Sequence, residues 1–84
     1  MLELYQAEDC PYSAKVREAA QELGVTYVVH NPRSHDGEVK NEGTYDRLTT
    51  VGGQDQIPCL VDSNRQKVLY ESDDIVEYLQ THYG

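Results

Sequence analysis

Cys10, Pro11, Tyr12 and Ser13 lie inside "YQAEDCPYSAKVREAAQELG" at 5–24 and have the types and spacing for sulfur chemistry. The thiolate is the nucleophile, and a free cysteine has a pKa of about 8.5. Pro11 suits the first turn of a helix, where its missing N–H would be unpaired anyway. A helix start offers unpaired N–H groups and partial positive charge, which favour an anion. Each unit of pKa depression corresponds to about 1.4 kcal/mol. Glu8 and Asp9 oppose that effect, and Lys15 and Arg17 compensate only in part, so a modest net depression at Cys10 is expected. The alternative is a buried cysteine packing as a small hydrophobe. Ser13 brings a hydroxyl toward the sulfur across the first turn; it can donate a hydrogen bond to a thiolate but cannot attack a disulfide. It reads equally as a polar helix-start residue. Any disulfide at Cys10 is therefore intermolecular or reaches Cys59, the other of the two cysteines.

The elements that must position these residues are legible in the apolar spacing. "LELYQ" at 2–6 reads as a strand, and Val16, Ala19, Ala20 and Leu23 mark a helix that Gly24 ends. "VTYVV" at 25–29 is β-branched and nearly all apolar, as in a central strand covered on both faces. Strand, helix and strand in this span form a βαβ unit with parallel strands. Residues 30–43, "HNPRSHDGEVKNEG", form a long polar connection, mobile or functional. "TYDRLTTV" at 44–51 reads as a second helix, capped by Thr44 and apolar at Tyr45, Leu48 and Val51. "IPCLV" at 57–61, the turn "DSNR" and "KVLYE" at 67–71 form an antiparallel hairpin. A last helix runs from Ser72, as cap, to about Tyr83, with Ile75, Val76 and Leu79 buried. The order βαβ-α-ββ-α predicts an α/β fold: a four-stranded mixed sheet flanked by three helices.

Eighty-four residues leave room for one core, so 1–84 reads as a single domain. Fifteen Asp and Glu against seven Lys and Arg give a net charge of −8, which opposes binding to nucleic acid and anionic membranes. Such a surface fits either an acidic partner face or a salt-rich cytoplasm; the acids are spread from Glu3 to Glu77, which favours the second. The N-terminus carries no basic region and apolar run, and no apolar stretch is long enough to span a bilayer, so a cytoplasmic location is expected. In a reducing compartment both cysteines are free thiols.

Three motifs carry a resemblance that runs from about Leu2 to Tyr83. "CPYS" resembles the glutaredoxin active site "CPYC" with its second cysteine replaced. "QIPCLVD" is similar to the cis-proline segment of thioredoxin-fold proteins, and "YESDDIVEYL" to the glutathione-binding signature of glutathione S-transferase N-terminal domains. The all-helical second domain of the two-domain transferases has no counterpart in this sequence. The resemblance implies a thioredoxin-like fold and a monothiol oxidoreductase, with disulfide-bearing client proteins and a small-molecule thiol as partners. It is expected to act as a monomer. Cys10 would be the nucleophile, Tyr12 the residue beside the sulfur, and Ile57, before Pro58, the backbone partner of the thiol's cysteinyl unit. Ser72 and Asp73 would hold the γ-glutamyl end, and Gln56 matches a glutamine of the transferase pattern.

Two features depart from the family. The lysine that many glutaredoxins carry shortly before the active cysteine is replaced by "QAED", which suits γ-glutamylcysteine better than glutathione as the thiol. Cys59 follows Pro58 and is expected to turn opposite to Ile57, into the core, with redox pairing to Cys10 or ligation as alternatives. Arg33 and Lys40 either reach the thiol or are solvated. His30, His35 and His82 match no zinc spacing, and no metal is expected, although an iron–sulfur cluster shared between single-cysteine subunits is the alternative to catalysis, beside a thiol-binding module without turnover.

Overall fold

A computed structural model of the protein describes residues 1–84. Four strands and three helices follow in the order β1 (Leu2–Tyr5), α1 (Pro11–Leu23), β2 (Val28–His30), α2 (Glu42–Gly52), β3 (Cys59–Asp62), β4 (Lys67–Leu69) and α3 (Ser72–Tyr83). The sheet order is β2-β1-β3-β4, with β2 parallel to β1 and the other two pairings antiparallel. This is the expected thioredoxin-like arrangement. Because β3 alone runs against the others, the ends of β1, β2 and β4 and the start of β3 meet at one edge of the sheet.

Strand alternation divides the apolar residues between two layers. Leu2, Leu4 and Leu60 face Val16 and Ala20 of α1 and Ile75, Tyr78 and Leu79 of α3. Tyr5 and Cys59 face the other way and pack with Leu48 of α2, together with Ala7, Cys10 and Ile57. Each fully buried aliphatic contributes roughly 1.5–3 kcal/mol relative to exposure. Ile57 and Cys59 enter the same cluster and do not diverge as expected, because strand alternation turns residues two positions apart to one face.

Several expectations change at the element ends. Residues 25–29 do not form a central strand: β2 is a short edge strand, and Val28 and Val29 are 40% and 42% exposed. Its β-branched run pairs with β1 on one side only. Asn41, not Thr44, caps α2, its side chain accepting the Thr44 N–H at 2.9 Å. Val51 is exposed and Leu48 is the buried residue of that helix. Ser72 is the first residue of α3 and is buried; Glu71 takes the cap position without a side-chain bond to the helix. Gly24 ends α1 at φ +69°, where a left-handed residue lets its N–H reach the Ala20 and Gln21 carbonyls. The polar segment after β2 is bonded into a small hairpin: Arg33 bridges Val39, and the Ser34 N–H donates to the Glu38 carbonyl at 2.8 Å.

Candidate functional site

The shared sheet edge opens into a cleft of about 330 Å³. Tyr12 projects from the start of α1, Arg33 and His35 from the hairpin after β2, and Gln56, Ile57 and Pro58 from the approach to β3. Tyr70, Glu71 and Ser72 close it at the start of α3. Five residues expected at a site thus converge here: Tyr12, Gln56, Ile57, Pro58 and Ser72.

The floor is the Ile57–Pro58 segment, whose peptide bond is cis. Neither the N–H nor the C=O of Ile57 makes a backbone hydrogen bond. Buried main-chain groups are nearly always paired, so an extended ligand on this segment would complete an unfinished ladder. At one end of the cleft the first amides of α3 lack intrahelical partners and carry no side-chain cap, a setting that favours a carboxylate. Beside them the Gln56 amide donates to the Glu71 carboxylate at 3.1 Å, leaving an acidic group to take an ammonium. Tyr12, 56% exposed, stands over the opposite wall with its ring 6.4 Å from that of His35.

Cys10 occupies the cap position of α1 with extended backbone, immediately before Pro11. Its side chain is 1% exposed and packs in the Tyr5–Ala7–Leu48–Ile57–Cys59 cluster. Ile57 of the same cluster lines the cleft and Cys10 does not, so the expected open nucleophile is buried. Ser13 also departs from its expected role: buried, it accepts the Ala7 N–H at 3.3 Å and makes no hydrogen bond to the Cys10 sulfur. Asp73 does not join the cleft either. It pairs with Lys15 at 2.6 Å on the exposed seam of α1 and α3, and Glu71 holds the acidic position instead.

Cys59 is fully buried, and burial pushes its thiol up to about 11 despite a compensating contact from the Tyr70 hydroxyl. Tyr70 also donates to the Gln54 carbonyl at 3.3 Å. On the other wall the Arg33 Nε donates to Asp55 at 2.7 Å, and the Tyr45 hydroxyl donates to the second Asp55 oxygen at 2.7 Å. That pair ties the β2 hairpin to the loop leading into Pro58. The Tyr45 bond, helped by Arg33 against partial burial, holds the Asp55 carboxyl below its usual range.

Lys40 turns away from the cleft and pairs with Glu38 beside a second, more open hollow of about 660 Å³. The histidines are dispersed: His30 bonds Glu3 at 2.8 Å, His35 lines the cleft, and His82 packs on Tyr78. No group of three or more His, Cys, Asp or Glu side chains is arranged to hold a metal ion. Tyr70 and Glu71 were not singled out from sequence, and His35 was weighed only as a metal ligand. Tyr70 and Glu71 immediately precede Ser72 in "YESDD", so that motif carried the signal; His35 sits in a polar loop without one.

Residues 4–84 match the family model for the glutathione S-transferase N-terminal domain. Among solved structures, a diazinon-metabolizing glutathione S-transferase of the silkworm Bombyx mori is 30% identical over 99% of this chain, with a TM-score of 0.76. Glutathione S-transferase unclassified 2 from Bombyx mori is 26% identical over 99%, with a TM-score of 0.81. Glutathione S-transferase 1-6 from Anopheles dirus species B is 29% identical over 98%, with a TM-score of 0.79. The chain spans 38%, 36% and 36% of those three chains. No curated protein matches it.

Proposed function

The chain belongs to the glutathione S-transferase N-terminal domain family, and on that footing we propose that its cleft binds a γ-glutamyl thiol, glutathione or γ-glutamylcysteine. The observation that carries this reading is the unpaired Ile57 backbone beside Pro58, set in one cleft with the uncapped start of α3. The cysteinyl unit pairs with Ile57, the γ-glutamyl carboxylate meets the first amides of α3, and the ammonium meets Glu71. Relatives named as glutathione S-transferases support the choice of thiol.

The reaction that follows is monothiol exchange of the glutaredoxin type. The Cys10 thiolate attacks the small-thiol sulfur of a mixed disulfide on a client protein. The client thiolate leaves and takes a proton from solvent, and Cys10 remains disulfide-bonded to the small thiol. A second small thiolate attacks that bond, restores Cys10 and departs as the symmetrical disulfide, so one free small thiol is consumed for each client mixed disulfide reduced, the other half of the product coming from that mixed disulfide. Ser13 has no thiol to resolve the intermediate. The packing around Cys10 must open for the sulfurs to meet, because Cys10 is 1% exposed. The same burial favours a second reading, a thiol-binding module without turnover. Iron–sulfur carriage draws no support, since a shared cluster needs that sulfur at the surface.

The test uses Cys59→Ser protein and intact-mass detection of the Cys10 adduct. The γ-glutamylcysteine disulfide should modify Cys10 at least tenfold faster than hydroxyethyl disulfide, which is smaller but carries no γ-glutamyl group. Equal rates would overturn docking in the cleft. Binding of the S-methyl thiol without any adduct would leave the module and remove the enzyme.

A further inference from the structure

Topology sets a direction along the cleft. The sheet order places the start of α3 after β4 at one end, the Ile57–Pro58 floor before β3, and the Arg33–His35 hairpin after β2 at the other end. At about 4.8 Å per strand spacing, the distance from β4 to β2 is roughly 14 Å, against about 10–11 Å for three extended residues, a reach that a γ-linkage lengthens. A γ-glutamyl thiol seated with its γ-glutamyl group at α3 and its cysteinyl unit on Ile57 therefore extends toward Arg33.

Arg33 is the only lysine or arginine lining the cleft, and its charge is already met by Asp55. Its Nε bonds Asp55 at 2.7 Å, and its Nη1 bonds the Ser34 and His35 carbonyls at 2.9 and 3.2 Å. Its side chain is 11% exposed against 48% for Asp55, so the counter-ion is the more exposed member of the pair. Tyr45 holds the other Asp55 oxygen and fixes that carboxylate in place.

Glutathione and γ-glutamylcysteine both carry two carboxylates and differ in where the second one lies. In the dipeptide it is on the cysteinyl unit and can take the free Ile57 N–H. In the tripeptide it lies one residue further, against the closed Arg33–Asp55 pair. We propose that Asp55 is a specificity-determining residue: by occupying Arg33 it denies a cation to a glycyl carboxylate and makes the cleft select the dipeptide thiol. This rests on the thiol-binding reading above and adds to it the residue that chooses the ligand.

The test is calorimetric titration with S-methyl glutathione and S-methyl γ-glutamylcysteine, which cannot form disulfides. Wild type should bind the dipeptide more tightly. Asp55→Asn should raise tripeptide affinity about three- to tenfold while the dipeptide changes by less than about twofold, the range for one charge-assisted contact in an open site. Arg33→Gln added to Asp55→Asn should remove that gain. Arg33→Gln alone should leave the ratio of the two affinities as in wild type, because Asp55 already neutralises the guanidinium. An unchanged ratio in Asp55→Asn, with both peptides bound or both weakened equally, would overturn the inference and leave thiol binding intact. So would a selective loss of tripeptide binding in Arg33→Gln, which settles the matter even if Asp55→Asn does not fold. Failure of wild type to bind either peptide would overturn the thiol-binding reading, and this inference with it.

Discussion

Cys10 and Cys59 share one apolar cluster but differ in what surrounds them. Cys10 sits at a helix start, while Cys59 lies on a strand, and burial lifts its thiol to about 11. A raised folded-state value means that the neutral thiol stabilises the fold fully below the unfolded value. That contribution is lost as pH rises from about 8.5 toward 11. Cys59→Ala should therefore flatten the fall in melting temperature across that interval, and native Cys59 should resist iodoacetamide at pH 8 until the chain is unfolded. At the far end of the sheet Asp62 is completely buried. It accepts the Tyr78 and Tyr83 hydroxyls at 2.7 and 2.8 Å, the Asn64 N–H at 3.1 Å and Arg65 at 3.3 Å. Burial works against its charge, yet these donors together hold the carboxyl below its ordinary range. The stability they give is present above about pH 4 and is lost as pH falls through the lower, folded value. Asp62→Asn should cost about 2 kcal/mol, a drop of roughly 8–16 °C in melting temperature at pH 7. The identity of Cys10, Tyr12, Ile57 and Ser72 as notable residues was legible in their motifs. The burial of Cys10, the Ala7 bond of Ser13 and the Lys15 pairing of Asp73 were not, because each depends on a neighbour distant in sequence or on the direction of one side chain.

The cleft is made where elements end, and element ends are where the sequence was least informative. Apolar periodicity located all seven elements, but caps and edges shifted: Asn41 for Thr44, Glu71 for Ser72, and an exposed edge for the valines of β2. Periodicity reports which face is apolar and not how many neighbours a strand has. The long polar segment 30–43 gave no sign of its hairpin, whose bonds are mostly main-chain. The last residue of α2 has a particular requirement. A Cβ on Gly52 would fall 1.6 Å from the Tyr70 hydroxyl oxygen and 2.4 Å from the ring. Gly52→Ala should thus push the Tyr70 ring from its place at the cleft, because a ring end moves more readily than backbone. The expected result is a fold that melts within a few degrees of wild type but binds S-methyl γ-glutamylcysteine several-fold more weakly. Unchanged affinity would mean that Tyr70 plays no part in forming the cleft.

For the whole molecule, charge is the distinguishing property. Six of the seven lysines and arginines already stand in ion pairs, so only Lys67 among them is left for the excess carboxylates. Exposed pairs of this kind contribute about 0–1 kcal/mol each and do not offset the general repulsion. Screening at 1 M salt acts over about 3 Å, so the melting temperature should rise between 0.1 and 2 M KCl. A flat or falling curve would count against adaptation to a salt-rich setting. No helix is long and apolar enough to cross a membrane. The fold itself was legible from order and spacing, since βαβ-α-ββ-α with these stripes closes in few ways. The central functional claim, that a γ-glutamyl thiol lies along the unpaired Ile57 backbone, is tested most directly by amide chemical shifts. On titration of 15N-labelled protein with S-methyl γ-glutamylcysteine, the account predicts saturable shifts largest at Ile57, Ser72 and Tyr12, with the α1 surface around Glu18 unmoved. Shifts absent from Ile57 and Ser72 at saturating ligand would contradict it.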